Sequence, residues 1–591
     1  MKKFYLVLLS LFFFFNISFS QNVPEWAKGI VWYQIFPERF ANGDSTNDPS
    51  PEKVYAGRKI PEDWRIRKWT SNWFEKDVWE EKLGDPLQNH LYERRYGGDL
   101  QGIIDKLDYL KELGVKAIYF NPIFESISLH KYDASYYHHI DVEFGPSPKI
   151  DKQIINSENP EDKSTWKWTT ADSLFLKLVD EVHKRGMKIV LDGVFNHVGT
   201  QFWAFKDLRE KQEKSKYKDW FIVKEFDDPK TEKNEFEYKG WWGYWGMPEF
   251  NRTKENLNPE PSKYIFNSTV KWMDPNGDGN PSDGIDGWRL DVARDVPLGF
   301  WKDWSALVKK ANKNAIIIGE LWELSPDFIT KDGPFDALMN YNFAFAVNDF
   351  FLAEKKKIST EEFIERLQEI DNTYPADNLY VLQNLIDSHD TDRLLSIAKN
   401  PDRKYDKDGK EENPEYDPSA PTEKEILKQK LVLAFQMTYL GSPMIYYGDE
   451  VGMWGADDPH CRKPMIWDNL KYDNEVIDEN SGFKVGYGSY PVQQNNDVLK
   501  FYKKLIKIHN ENSVLQKGTL KFIHIDKDQP AFAFERTLEK EKVYILFNLS
   551  KTKVVFKIPV GAYENLLLDE EMSTSGNINL EPESFIILKS S

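Results

Sequence analysis

Two charged residues interrupt an apolar stretch that has the composition of a buried strand. In the segment GWRLD, Arg289 and Asp291 alternate with Trp288 and Leu290. Side chains of a strand point alternately to its two faces, so the guanidinium and the carboxylate share one face. Burying both charges is costly unless they are paired and hydrogen-bonded. Taken alone, the pair is more typical of a structural ion pair than of a catalytic group.

Three other apolar runs also end in residues that could do chemistry. The segment DGVFNH carries Asp192 and His197, GELWE carries Glu320, and IDSHDTDR carries His389 and Asp390. Carboxyl and imidazole groups brought to one place are the groups that serve acid/base catalysis. A fold that gathers these run ends would therefore assemble a catalytic site.

The arrangement of the apolar runs predicts such a fold. Helical patterns over 99–114 and 171–186, each ending in glycine, lie between some of them. Alternation of strands and helices indicates the α/β class with a parallel sheet. Eight runs predict a closed (β/α)8 barrel, whose working groups lie at the C-terminal ends of its strands. The predicted strands are 30–36, 116–121, 187–192, 287–291, 315–320, 335–341, 380–386 and 443–448.

The rest of the chain divides by composition. A catalytic barrel is predicted over 21–511, and about 198–255 form a subdomain inserted after the third strand because this stretch is too long for an ordinary loop. Residues 399–425 are polar and rich in proline, which is typical of a solvated surface loop. Alternating short strands over 512–591 predict a C-terminal all-β sandwich domain.

Residues 1–20 have the pattern of a signal peptide. A basic start, Lys2 and Lys3, precedes an apolar run, and Ser18 and Ser20 suit cleavage before Gln21. Export, to the periplasm or beyond, is therefore expected, and no later apolar run predicts membrane insertion. A net charge of −18 argues against nucleic acid and anionic membrane surfaces as partners.

The four segments that end in polar residues resemble, in order and spacing, the conserved regions of the α-amylase family, glycoside hydrolase family 13. WYQIFPERFANGDSTNDP (32–49), LHKYDASYY (129–137) and GDEVGMWGADDPHCRKPMIW (448–467) narrow the resemblance to its cyclomaltodextrinase, neopullulanase and maltogenic amylase branch. That branch commonly carries an extra N-terminal β domain. Here the barrel is expected to begin almost directly after the signal peptide, without that domain.

The resemblance implies retaining hydrolysis of α-1,4 glucosidic bonds in starch, malto-oligosaccharides, pullulan or cyclodextrins, with α-1,6 bonds as a second candidate. It implies Asp291 as nucleophile, Glu320 as acid/base and Asp390 as a third carboxylate that binds sugar hydroxyls. Retention needs two carboxyl groups about 5–5.5 Å apart. Arg289 is expected to keep Asp291 ionised, because a neighbouring cation favours a carboxylate. Matching positions imply four residues that bind or support the sugar in the cleaved subsite: Tyr132, Asp192, His197 and His389.

Two alternatives to a hydrolase stay open at this stage. A transglycosylase on the same scaffold would differ in how well the acceptor subsites exclude water. A glucan-binding protein with an inactive barrel would lack one of the three carboxylates, which are all present. The expected partner is an α-glucan in each case, and the oligomeric state is left open.

The segment NGDSTND (42–48) clusters oxygen-bearing side chains. On pattern alone it is more typical of an Asx-rich turn, but the resemblance implies a structural calcium site. Calcium prefers six to eight oxygen ligands. The implied ligands are Asn42, Asp44, Asn47, Asp48, Gly97 and Asp99. Residues 274–284 begin like an EF-hand loop, but Ile285 replaces its glutamate, so a turn-rich loop is favoured there and a second calcium site is left open.

The segment GWWGYWGMPEFN (240–251) is unusually rich in aromatic residues. It could form a wall on which glucose units stack, or the core of the inserted subdomain. The core interpretation is favoured for most of these aromatic side chains.

Overall fold

A computed structural model describes residues 23–54, 60–407, 409 and 413–590. The predicted signal peptide, residues 1–20, lies outside the described residues. No helix within these ranges is long and apolar enough to cross a membrane.

Eight parallel strands form the centre of the molecule. Neighbouring strands pair in the order β6-β5-β4-β3-β2-β1-β8-β7, and a parallel bridge from Met339 to Gln383 joins the two ends of the sheet. All eight predicted strands are present, and the (β/α)8 barrel is confirmed. The strands are β1 (Trp32–Ile35), β2 (Ala117–Phe120), β3 (Lys188–Gly193), β4 (Gly287–Leu290), β5 (Ile316–Gly319), β6 (Ala337–Leu338), β7 (Gln383–Asn384) and β8 (Ser442–Tyr446).

Helices surround the barrel. The pattern over 99–114 forms two helices rather than one, because the chain leaves helical geometry at Lys106, and the second ends at Gly114, whose φ of 96° is left-handed. Thr169 and Asp172 form a capping box that starts the helix after β2. The α-helices are Val78–Leu83, Leu87–His90, Leu100–Asp105, Leu107–Leu113, Pro148–Asn156, Thr170–Lys184, Trp203–Lys211, Pro259–Met273, Leu298–Ala311, Tyr341–Val347, Thr360–Thr373, Ala376–Leu379, Leu394–Lys399, Glu423–Thr438, Asn496–Glu511 and Ser513–Lys517.

Antiparallel strands follow the last helix, as predicted. Six of them form one sheet in the order β9-β10-β11-β16-β13-β14, and β12 pairs with β15 in a second, two-stranded sheet. These strands are β9 (Thr519–Ile525), β10 (Ala531–Leu538), β11 (Glu541–Asn548), β12 (Val554–Lys557), β13 (Gly561–Asn565), β14 (Glu570–Thr574), β15 (Asn577–Leu580) and β16 (Ser584–Ser590). The domain boundary at 511/512 stays a prediction.

One face of the six-stranded sheet packs on the barrel. Phe532, Phe534 and Phe547 belong to the same buried hydrophobic cluster as the barrel strands, and all three contact Phe435 of helix Glu423–Thr438. Arg536, which is fully buried, donates to the carbonyl oxygens of that helix's C-terminal end. The other face packs against the two-stranded sheet through a separate cluster.

The stretch 399–425 is not the purely solvated loop that its composition predicts. Tyr416 is 1 % exposed and its hydroxyl contacts Asp392, while the Tyr405 hydroxyl donates to Ile386. These two tyrosines hold the stretch against the segment that follows β7. The polar composition of the stretch gave no indication that they would be buried.

Candidate active site

The residues predicted to do chemistry come together at one end of the barrel. Asp192 is the second-last residue of β3, Asp291 directly follows β4, and Glu320 directly follows β5. His389 and Asp390 follow β7 after a short loop. The chain therefore brings together every carboxylate and imidazole that the sequence placed at strand ends.

Arg289 lies at the centre of this group. Its NH1 nitrogen donates to both carboxylate oxygens of Asp192, at 3.0 and 2.9 Å, and to Asp291 Oδ1 at 3.0 Å. Its NH2 nitrogen lies 3.0 Å from Glu320 Oε2. The guanidinium is 0 % exposed, so these contacts are not screened by water. One buried cation thus holds three carboxyl groups from three adjacent strands.

The turn after Asp291 is strained and aims its backbone at Glu320. Val292 adopts φ 37° and ψ 47°, a left-handed conformation that is rare for a β-branched residue. Its amide donates to Glu320 Oε2 at 2.9 Å, and Trp322 Nε1 donates to Oε1 at 3.3 Å. The two carboxyl groups on β4 and β5 are therefore held in fixed relation by backbone as well as by Arg289.

Tyr132 and His389 form the opposite side of the site. Their rings are stacked, with centroids 5.5 Å apart and planes 7° apart, and the Tyr132 hydroxyl lies 2.5 Å from His389 Nε2. Gln34 donates to His389 Nδ1 at 2.9 Å, and Tyr119 donates to Asp192 at 2.7 Å. Burial lowers the pKa of His389 well below its usual value, so its imidazole is neutral and suited to hydrogen bonds with hydroxyl groups.

Arg462, which no sequence pattern indicated, is the cation that pairs with Asp390. Arg462 NH2 lies 3.2 Å from Asp390 Oδ1 and 3.0 Å from Asp458 Oδ2, and its Nε donates to the carbonyl of His389 at 2.7 Å. Arg462 lies within the segment 448–467 that carried the family resemblance. That resemblance was the only feature of the sequence that could have indicated a role for this residue in the site. Its approach to a residue so distant along the chain depends on the tertiary fold.

The pKa shifts of the carboxyl groups differ from the expectation that Arg289 keeps Asp291 ionised. Burial, together with the negative charge of Glu320, raises the pKa of Asp291 well above its usual value, and Arg289 lowers it by less. Burial raises the pKa of Asp192 to about 6, although Arg289 opposes this shift, and that of Asp390 to about 7, although Arg462 opposes it. Arg289 alone therefore does not fix the charge of Asp291 in the ligand-free site, because it shares its charge among three carboxyl groups.

A cavity of about 640 Å³ opens onto these groups. Asp291, Glu320 and Asp390 line it together with Tyr132 and His197, whereas Arg289, Asp192 and His389 lie behind its wall. Lining residues that the sequence did not indicate include Tyr92, His130, Trp322, Arg294, Asp406 and Lys407. Asp406 and Lys407 come from the stretch predicted to be a solvated loop.

The inserted segment supplies an aromatic wall. Trp241 lines the cavity and stacks on His197, with ring centroids 5.2 Å apart and planes 18° apart. Trp242 also lines it and is 88 % exposed, and Tyr244 and Trp245 are about half exposed. The core interpretation of this segment is therefore wrong for these side chains. Burial lowers the pKa of His197 to about 3, and its Nε2 has no hydrogen-bond partner among the described residues.

The predicted calcium loop is compact and rich in oxygen atoms. Asn42 donates to Asp48 at 2.7 Å, Asp44 accepts from the amide of Thr46, and Asp99 accepts from the amides of Gly43, Asp44 and Gly102. Gly97 has φ 77°, and a Cβ there would overlap Asp48 and Asn42. Asn47 Nδ2 also donates to Asp99 Oδ2 at 3.4 Å, so each of the six predicted positions lies against at least one other.

Two features of this loop fit a bound cation. Asn47 Oδ1 is buried and lacks a hydrogen-bond partner in the part of the chain that the structure describes. Burial raises the pKa of Asp48 to about 6, the Asn42 amide opposes this, and the carboxylate of Asp99 raises it further. Buried, mutually repelling carboxylates with an orphaned amide oxygen match the oxygen ligands that calcium prefers. In 274–284, by contrast, Asn276, Asp278 and Asn280 each accept from a nearby backbone amide, as in Asx turns.

Comparisons with known proteins agree with this geometry. The model of the α-amylase catalytic domain matches residues 34–159 and 167–518. Neopullulanase 2 of Thermoactinomyces vulgaris is 37% identical over 540 residues, which cover 91% of this chain and 72% of that protein. A cyclomaltodextrinase of Thermoanaerobacter pseudethanolicus is 36% identical over 568 residues, covering 96% of this chain and 78% of that protein.

A similar structure is that of the cyclic α-maltosyl-(1→6)-maltose hydrolase of Arthrobacter globiformis. Its TM-score is 0.68 at 26% identity, and the match covers 96% of this chain and 100% of the other. Fold, strand-end residues and sequence similarity lead to one assignment. The chain is a glycoside hydrolase that belongs to the α-amylase family.

Proposed function

We propose that this protein is an exported, retaining α-glucan hydrolase that uses Asp291 as nucleophile and Glu320 as acid/base. The observation that carries the proposal is that both carboxyl groups contact one buried guanidinium, at 3.0 Å each, where adjacent strands open into the cavity. Retaining glycosidases place two carboxyl groups close together on either side of the scissile bond. Neighbouring strand ends joined by one cation supply such a pair.

The first step forms a covalent intermediate. An Asp291 oxygen attacks the anomeric carbon as the glycosidic bond breaks, and Glu320 transfers its proton to the departing oxygen. In the second step the Glu320 carboxylate takes a proton from water, the water oxygen attacks the same carbon, and the ester to Asp291 breaks. Two inversions give retention, and both residues return to their starting protonation states.

Charge balance supports the presence of one proton in the resting site. Three buried carboxyl groups, those of Asp192, Asp291 and Glu320, share the guanidinium of Arg289, and the partly exposed Asp390 shares the guanidinium of Arg462 with Asp458. Like charges at this separation disfavour full ionisation, so at least one carboxyl group holds a proton at neutral pH. An acid/base pair needs one protonated and one ionised partner.

The cavity suits a neutral sugar. Its aromatic side chains, Tyr132, Trp241 and Trp322, offer flat apolar faces, and the imidazole of His197 is a neutral hydrogen-bonding group in its wall. The neutral His389 stacks against Tyr132 directly behind this wall. We infer that Asp390, held by Arg462, binds sugar hydroxyls and that Asp192 supports Arg289. The names of the relatives favour α-1,4 bonds in pullulan, cyclodextrins and malto-oligosaccharides as substrates, with α-1,6 bonds as a second possibility.

Calcium and export complete the proposal. Asn42, Asp44, Asn47, Asp48, the Gly97 backbone and Asp99 would hold a calcium ion that supplies positive charge to the loop between β1 and the next helix. Its role would be structural, because the loop lies apart from the residues that line the cavity. Export rests on the basic start and apolar run of residues 1–20.

Product analysis tests the function. Starch, pullulan and cyclodextrin are incubated with the enzyme and the products separated by chromatography, while NMR follows the anomer released first. We expect short α-configured malto-oligosaccharides. Release of β anomers would contradict retention, and accumulation of longer oligosaccharides would favour the transglycosylase alternative.

Asp291→Asn is expected to abolish turnover while leaving the melting temperature near that of the wild type. Asp303→Asn is the matched control, because this exposed residue lies on the helix that follows β4 and outside the cavity. Equal activity in both variants would contradict the assignment of Asp291, and loss of turnover in the control would show that the substitution acts through the fold.

A further inference from the structure

We propose that His138, His139 and Glu158 bind a divalent transition-metal ion of the zinc class. The ligand atoms of the three side chains all lie within 4.8 Å of one another. His138 and His139 belong to the segment after β2, and Glu158 follows the end of helix Pro148–Asn156, so the cluster is separate from the cavity described above and from the calcium loop. The site is independent of the proposed reaction.

The distances suit metal coordination. Glu158 Oε2 lies 3.3 Å from His138 Nε2 and 2.9 Å from His139 Nε2. Ligand atoms of a tetrahedral zinc ion, with bonds of about 2.0–2.1 Å, are separated by roughly 3.3 Å. Two imidazole nitrogens and one carboxylate oxygen are therefore close to ligand spacing without rearrangement of the backbone. Three protein ligands leave a fourth position for water.

A hydrogen-bond partner on the Nδ1 nitrogen fixes the orientation of each imidazole ring. His139 Nδ1 lies 2.8 Å from Asp172 Oδ2, and His138 Nδ1 lies 2.8 Å from the Tyr264 hydroxyl. Metal-binding histidines characteristically use the second ring nitrogen in this way, which fixes the ring and its tautomer. The remaining nitrogen of each ring points at the same carboxylate oxygen.

The site is enclosed. Side chains of His138 and His139 are 0 % exposed and that of Glu158 is 1 % exposed. Trp166 covers His138 as a stacked ring, with centroids 4.1 Å apart and planes 13° apart. Lys271 pairs with Asp172 at 3.1 Å and also donates to the carbonyl of His138, so its charge is directed to the supporting carboxylate.

The position of the cluster indicates a structural role for the metal. The neighbouring Tyr137 donates its amide to Tyr264 and its hydroxyl to the carbonyls of Val194 and His197. A metal at His138 and His139 would thus join the segment that contains Glu158 and Trp166 to the backbone that carries His197. The alternative is that the hydrogen bonds and ion pairs of the same side chains hold this junction without metal.

Metal titration of the mature protein separates these two possibilities. The protein is treated with chelator, saturated with calcium so that the calcium loop is filled, and titrated with Zn²⁺ by calorimetry. We expect one Zn²⁺ per chain and a rise in the melting temperature on binding. Co²⁺ in place of Zn²⁺ should give the visible absorption bands of a nitrogen-ligated ion, a readout that does not depend on activity.

Variants assign the ligands. His139→Gln and Glu158→Gln should abolish stoichiometric Zn²⁺ binding, and Asp172→Asn should weaken it by about 10–100-fold because it orients His139. His183→Gln is the control, since this histidine pairs with Asp286 elsewhere on the barrel. Unchanged Zn²⁺ affinity in His139→Gln and Glu158→Gln would overturn the proposal. If these variants do not fold, the wild type decides: no Zn²⁺ binding, or no cobalt bands, would refute the site.

Discussion

Removing the central guanidinium should shift the pH dependence of catalysis. Arg289→Met keeps an unbranched side chain of moderate size but leaves Asp192, Asp291 and Glu320 without their shared cation. Arg289 lowers the pKa of Asp291, while burial and Glu320 raise it. Without the cation, the pKa of Asp291 rises further. The nucleophile must be ionised, so activity is lost at a higher pH on the acid side.

The size of the shift follows from the contacts. A charge separation of about 4 Å at an effective dielectric of about 20 corresponds to about 4 kcal/mol, or about 3 pKa units. Because Arg289 serves three carboxyl groups, we expect the acid limb of kcat/KM to move upward by about two to three pH units. The loss of activity approaches roughly 10²–10³-fold at pH values below the wild-type acid limb, and it becomes smaller as the pH rises through the shifted limb.

The activity of Arg289→Met should recover as the pH rises, whereas its free energy of unfolding should fall further below that of the wild type. Breaking a buried charge pair costs about 3–5 kcal/mol because the remaining charge has no partner. Carboxyl groups whose folded-state pKa is raised stabilise the fold when protonated, and that stability is lost as the pH rises through the folded-state pKa. Arg289→Met should therefore lose more stability at alkaline than at acidic pH.

The assay is kcat/KM on a soluble malto-oligosaccharide across the pH range, with melting curves at each pH. Arg289→Lys is the control because it keeps the charge but loses the forked geometry, so its acid limb should move by less than that of Arg289→Met. An unmoved acid limb in Arg289→Met, or a loss of activity that is the same at every pH, would refute this account of the site.

Three further outcomes follow from features outside the charged cluster. Chelation should lower the melting temperature. Calcium affinity, measured by calorimetric titration, should fall below a pH of about 6, because Asp48 then takes up a proton. Asp48→Asn should remove both effects. Trp242→Ala should change the free energy of unfolding by no more than about 0.5 kcal/mol, because the ring is exposed. It should raise KM more for long than for short malto-oligosaccharides. Equal changes in KM would contradict the role of this side chain in an aromatic wall. The mature protein from an exporting host should begin at Gln21 by N-terminal sequencing, and a chain that retains Met1 would contradict export.

The barrel could be predicted because its strands are short apolar runs that end in polar residues. Each run is buried on both faces, so its composition is unambiguous, and Asp192, Asp291 and Glu320 mark the ends of three of them. The split at Lys106 could not be predicted in the same way. Apolar periodicity continues across that position, and only the backbone reveals the break.

Long-range contacts set the limits of prediction for the site. Arg462 reaches Asp390 from more than seventy residues away along the chain, and Asp406 and Lys407 reach the cavity from a polar stretch. The pKa of Asp291 depends on Glu320, Asp192 and Asp390 at once, none of which is adjacent to it in sequence. Local patterns identify the groups, whereas their charge states depend on how the tertiary fold places them.

The packing of the C-terminal sheet on the barrel has a consequence for how the molecule unfolds. Phe532, Phe534 and Phe547 share one hydrophobic core with Phe435, and Arg536 is buried against the end of the same helix. Separating the sheet would expose this aromatic surface to water and break the hydrogen bonds from Arg536 to the carbonyl oxygens of Thr438 and Tyr439. The catalytic barrel and the sheet are therefore expected to unfold as one cooperative unit, and chain cleavage before Thr519 would remove part of the hydrophobic core that supports the barrel.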